Sequence, residues 1–99
     1  MSMYGTVAQM RVQPGRVEDL LHQLAQFEEI EVPGYIDTYV FQMDEDPNEL
    51  FMAVAFADRE SYQKNAEDPE QDRRYQAMRQ LLVADPEWHD GEIVWTTEE

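Results

Sequence analysis

Residues 50–57 read LFMAVAFA, an apolar run with no polar position anywhere along it. On an extended chain, successive side chains point to opposite faces. Leu50, Met52, Val54 and Phe56 therefore share one face, and Phe51, Ala53 and Ala55 share the other. The run is far short of the roughly 20 residues that a membrane helix requires. It predicts a strand inside a sheet, buried on both sides. Whatever fold the chain adopts must cover this segment from two directions. At 99 residues there is room for one core only. A domain of that size buries only about 60–65% of its unfolded surface, so apolar material is scarce.

The rest of the chain alternates between two periodicities. Residues 3–13 (MYGTVAQMRVQ) alternate with period two, placing Tyr4, Thr6, Ala8, Met10 and Val12 on one side. Pro14-Gly15 stops that strand, and from Arg16 the spacing becomes helical. Val17, Leu20, Leu21, Leu24, Phe27 and Ile30 follow steps of three and four until Pro33-Gly34. Residues 35–43 (YIDTYVFQM) form a second strand. Tyr35, Asp37, Tyr39, Phe41 and Met43 lie on one face of it, with Ile36, Thr38, Val40 and Gln42 on the other. The polar DEDPNE at 44–49 makes a hairpin loop into the apolar run.

Asp58 predicts an N-cap for a helix reaching about Glu67. Asp68-Pro69-Glu70-Gln71 restarts it with a second cap and a proline in the first turn. Tyr75, Met78 and Leu82 line the inner face of that piece, and Pro86 ends it. Residues 87–97 form the fourth strand. The order β-α-β-β-α-β, one domain over 1–99, predicts a ferredoxin-like α+β sandwich with an antiparallel sheet and both helices on one face. The helices cover one face of LFMAVAFA and leave the other bare. A second copy of the chain, sheet against sheet, is the expected cover.

Charge narrows the partners. Asp and Glu number 22 against 7 Lys and Arg, a net charge of −15. Nucleic acid and anionic membrane surfaces are both disfavoured, because their recognition needs clustered cations. The absence of cysteine removes disulfides and thiolate metal sites, and no secretory leader pattern opens the chain. The expectation is a cytoplasmic protein.

VQPGRVEDLL leading into an apolar helix, then VPGYIDTYVFQ, then an apolar strand running into DRESYQKNAEDP, resembles the antibiotic biosynthesis monooxygenase family. The resemblance spans essentially the whole chain and implies the dimeric α+β barrel, with two ferredoxin-like sheets facing each other. It further implies oxygenation of a small phenolic or quinol-type metabolite without metal, flavin or other cofactor. In that chemistry the bound substrate loses a proton and its electron-rich anion reduces dioxygen directly. The alternative on the same barrel is a non-catalytic small-molecule-binding or stress-response module.

Asn65 lies one helical turn from Tyr62, on the face turned toward the sheet. Its amide either meets backbone where the helix breaks at Pro69 or serves a substrate oxyanion. Related proteins place a His or Asn on this helix. Tyr75 heads the next inner face, as core or as a hydroxyl at a pocket rim. Arg79, four residues on, either pairs with nearby acids or holds a phenolate or carboxylate. In ADPEWHDGEIVW, Trp88, Asp90 and Glu92 face one way while His89 and Gly91 face the other, so no metal site converges there. Alternatively Asp90-Gly91 forms a tight turn. With the resemblance, Asn65, Tyr75 and His89 become the catalytic candidates, His89 as proton acceptor. Tyr62, Trp88 and Arg79 become the substrate-binding candidates. A haem-degrading branch of the fold uses Asn, Trp and His at positions occupied here by Ala8, Phe56 and the Asn65–Tyr75 helix. That ligand set is missing.

Overall fold

The structure is a computed structural model that describes residues 2–27 and 29–97. Its elements are β1 (Tyr4–Arg11), α1 (Val17–Phe27), β2 (Tyr35–Gln42), β3 (Glu49–Phe56), α2 (Arg59–Glu67), α3 (Pro69–Arg79) and β4 (Glu87–Glu92). The four strands form one open antiparallel sheet in the order β2-β3-β1-β4. This is the ferredoxin-like α+β arrangement expected from the alternating periodicities. β3 is central and pairs along its length with β1 on one side and β2 on the other.

The inner face of the sheet carries the core. Ala8, Met10 and Val12 from β1 and its extension pack with Leu50 and Met52 from β3, Leu20 from α1 and Met78 from α3. Leu81 and Leu82 close the same cluster. On the outer face, Phe51, Ala53 and Ala55 are only half-buried, and their neighbours stand open to solvent. Tyr39 is 58% exposed, Phe41 55% and Val7 50%. The single chain thus covers LFMAVAFA from one direction only.

Helix boundaries follow side-chain caps. The Asp58 carboxylate accepts the Ser61 backbone N–H at 2.8 Å, which holds the Asp58 carboxyl below its ordinary range. Asp68 accepts the Glu70 N–H at 2.9 Å and Pro69 occupies the first turn of α3, so the second helical element is in two pieces as its sequence predicts. The second piece stops at Arg79 rather than continuing to Pro86. The chain there exchanges helical hydrogen bonds for bridges to the end of β1. The Val83 N–H donates to the Arg11 carbonyl and the Gln13 N–H to the Leu81 carbonyl, each at 2.9 Å, around a Val12–Leu82 bridge.

β2 also departs from strict alternation. A bulge between Tyr35 and Asp37 sets Tyr35 opposite Phe56, with ring centroids 5.7 Å apart, instead of on the outer face with Tyr39. β4 runs through Asp90-Gly91 without a turn, Gly91 lying opposite Gly5. No helix among the described residues is long and apolar enough to cross a membrane.

Two glycines have left-handed backbones and differ in surroundings. Gly15 has φ +82 and open space where a Cβ would go, whereas Gly34 has φ +84 and a Cβ there would collide with the Ser61 side chain. Gly34 also accepts the Ala57 N–H at 2.7 Å, which ties the turn before β2 to the start of α2. Gly15→Ala is expected to cost about 1–2 kcal/mol, the price of the conformation alone. Gly34→Ala combines conformation and overlap and should cost about 2–4 kcal/mol. Urea midpoints at unchanged slope measure both, and equal losses in the two variants would remove the packing role of Gly34.

Candidate active site

The helices do not seal the inner face of the sheet. Leu21 and Leu24 of α1 face Val40, Met52 and Val54 of the sheet across an opening that α2 and α3 flank, with the helix break at Asp68 beside it. Between them lies a cavity of about 730 Å³, within the range of small-ligand sites. Leu21, Ile30, Tyr35 and Trp88 are large apolar residues that remain substantially exposed, and all four line it. A second, more polar chamber of about 680 Å³ adjoins it beneath the Pro33-Gly34 turn. The two share Ile30, Val32, Asn65 and Arg74.

Four of the six residues singled out from the sequence meet in the main cavity. Tyr62 and Asn65 come from α2, Tyr75 from α3 and Trp88 from β4. Asn65 sits in the last turn of α2, where its backbone carbonyl accepts the Asp68 N–H at 3.1 Å. Its side-chain amide has no hydrogen-bond partner among the described residues, so the helix break satisfies the backbone and not the amide. The Tyr75 ring lies 6.2 Å from the Trp88 ring, tilted by 55°, and the pair forms one wall.

The other two residues lie elsewhere. Register places His89 opposite Val7, on the face of the sheet away from the cavity, as alternation from Trp88 requires. Arg79 donates from Nε to Asp85 Oδ1 at 2.7 Å and from Nη1 to the Leu82 carbonyl at 3.1 Å, and it is not among the lining residues. It fastens the turn after α3.

Six further polar residues line the cavity, Thr6, Thr38, Gln71, Asp72, Arg74 and Asp90, and three of them shape its chemistry. Asp90 faces inward opposite Thr6, and its Oδ1 accepts the Tyr62 hydroxyl at 2.8 Å. Burial and then this hydrogen bond push the Tyr62 phenol up to about 12. The Tyr62 ring is packed between Tyr4 and Phe56, at centroid distances of 5.3 and 5.5 Å. The Thr6 hydroxyl lies near enough to pull the Tyr62 titration slightly the other way, yet its oxygen is buried out of hydrogen-bonding geometry with any described group. Arg74 is the third, half-buried beside Tyr75. Each left a trace in the sequence. Thr6 interrupts the apolar stripe of β1, Asp90 shares a face with Trp88, and Arg74 is four residues before Met78 on the inward stripe of α3.

Because the Tyr62 proton is held more tightly in the folded protein than in the unfolded chain, its contribution to stability is complete below pH 10 and is lost as pH rises toward 12. Urea unfolding at about pH 9 and 11 should show the wild type losing more stability than Tyr62→Phe across that interval. Equal losses would show that another group governs the alkaline limb.

The antibiotic biosynthesis monooxygenase family model matches residues 3–77. Among solved structures, a candidate antibiotic biosynthesis monooxygenase from Chloroflexus aurantiacus is 27% identical, with 96% of each chain covered and a TM-score of 0.78. A conserved protein from Methanosarcina mazei is 22% identical over 92% of each chain, at 0.79. An asparagine variant of SnoaB, a cofactor-independent oxygenase from Streptomyces nogalater, is 17% identical over 100% of each chain, at 0.80. No curated protein matches the sequence.

Proposed function

The chain belongs to the antibiotic biosynthesis monooxygenase family, and we propose that its main cavity oxygenates a small phenolic or quinol-type metabolite without a cofactor. One observation carries this reading. The Asn65 amide borders an aromatic-lined cavity and has no partner among the described residues, which leaves it open to a ligand oxygen.

The chemistry requires a substrate that supplies its own electrons. A bound phenol or anthrone-type ketone gives up a proton, and the resulting anion transfers electrons to dioxygen. A carbon–oxygen bond forms, the oxygen–oxygen bond breaks, and one oxygen atom becomes a quinone carbonyl. The other leaves as water with the two hydrogens that the substrate has lost. In this scheme Asn65 and the Tyr75 hydroxyl donate to the anionic oxygen, and dipoles fixed in place by the fold need no reorganisation to do so. Tyr62 and Trp88 hold the aromatic body. His89 lies on the other face of the sheet, so the proton passes to a group inside the cavity. The Asp90 carboxylate, beside Tyr62, is the nearest candidate.

Purified, chelator-treated protein should consume oxygen with at least one member of a panel of anthrones and hydroquinones. Asn65→Ala and Tyr75→Phe are each expected to lower that rate by about tenfold or more while leaving the fold intact. Uptake unchanged in both variants would strip these residues of their roles. No uptake across the panel would favour a binding module on the same fold.

The uncovered sheet face belongs to the same reading. We propose that Val7, Tyr39, Phe41 and Phe51 pack against a second copy of the chain, completing the cover for β3. Sedimentation should give twice the 11.7 kDa chain mass, and Val7→Glu should give the single-chain mass. A monomeric wild type would overturn the dimer.

A further inference from the structure

Among the described residues, two of the seven basic side chains have no carboxylate partner. One is Arg59, which lies 5.5 Å from the Tyr4 ring centroid and is exposed. The other is Arg74, which lines the cavity. In a chain with 22 acids, a half-buried guanidinium without an acid needs a cause. Arg73 takes the carboxylate of Glu70, the residue one turn before Arg74. The acceptor left for Arg74 is neutral. Its Nε and Nη2 donate to Gln71 Oε1 at 3.2 and 2.9 Å, and its guanidinium carbon lies 5.9 Å from the Phe27 ring centroid.

That arrangement fixes the guanidinium without neutralising it. A guanidinium has five N–H donors, and those not turned to Gln71 are free to bind a ligand in a planar fork. Arg74 also borders both chambers, alongside Asn65. We propose that Arg74 selects the ligand of this cavity, receiving one carboxylate carried on an aromatic body. The apolar lining fits the aromatic part. Asp72 and Asp90 also face the cavity and disfavour a second carboxylate, so the ligand carries one. The net charge of −15 opposes any anion at long range, but salt screens that field beyond about 8–10 Å. A contact pair partly buried among the apolar lining is screened less than one on the open surface. This inference rests on the cavity being the ligand site, as proposed above, and its test reads binding rather than turnover.

Naphthoate and naphthamide have nearly the same shape and differ in charge. Calorimetric titration of the whole chain should show naphthoate binding about tenfold or more tightly than naphthamide. Arg74→Gln should bring the two affinities together, and Arg74→Lys should retain only part of the preference, having charge without the fork. Arg79→Gln, which removes contacts with Asp85 and the Leu82 carbonyl outside the cavity lining, should keep it whole. Equal affinities in the wild type, a preference that survives Arg74→Gln, or binding of neither probe would overturn the assignment. Acid preference in a protein that consumes no oxygen would count against the proposed reaction and leave Arg74 in place. Oxygen consumption with equal affinities would do the reverse.

Discussion

Pairing of β3 with β1 and β2 along its whole length is the interaction on which the rest of the molecule depends. Backbone ladders on both edges force the strand to the centre of the sheet, and its alternating side chains then require apolar cover above and below. Helices can reach only one face, because both β-α-β crossovers run on the same side. The inner face becomes the core. The outer face presents Val7, Tyr39 and Phe41 to whatever lies beyond it. The same constraint that makes the fold recognisable also leaves one face of the sheet open, which is the basis of the proposed dimer.

Even the covered face is covered loosely, and magnitudes show why that matters. Each Å³ of empty, rigid cavity costs about 24 cal/mol, so a dry void of 730 Å³ would cost on the order of 17 kcal/mol. That exceeds the whole net stability of a typical domain, about 5–15 kcal/mol. The space is therefore open to solvent or filled by a ligand and cannot be a packing defect. Its origin is local. Asp68 caps α3 while α2 ends, and the change of direction at Pro69 carries Asn65 and Tyr75 to neighbouring edges of one gap instead of one continuous helix face.

Most of this framework is legible in the amino-acid order, because strand alternation, helical spacing and caps act over a few residues. LFMAVAFA, Asp58 and Asp68-Pro69 each specify their own structure. What escaped has a common cause, namely competition from distant partners. Tyr35 turns inward because a bulge opposite β3 resets the register by one residue. The helix containing Tyr75 ends early because Leu81 and Val83 find partners on β1, about 70 residues away in sequence. In the site, Tyr62, Asn65, Tyr75 and Trp88 follow from face assignments that survive folding. Arg79 and Arg74 do not, since both lie near the inward stripe and the choice between them depends on which acid is in reach. Asp85 occupies Arg79, while Gln71 leaves Arg74 charged.

The proton inventory of the cavity follows from the same placements. The two histidines are outside it, His22 exposed on α1 and His89 behind the sheet. The Tyr62 phenol, held up to about 12 by burial and Asp90, stays protonated throughout the neutral range. It is a fixed donor there and cannot act as a base. The remaining basic groups are the carboxylates of Asp72 and Asp90. A carboxylate removes a proton efficiently only from a group whose own acidity lies close to it, since proton transfer works best between matched partners. In the proposed reaction such a cavity suits a substrate whose reacting group is already acidic, or one whose anionic form the Asn65 amide stabilises.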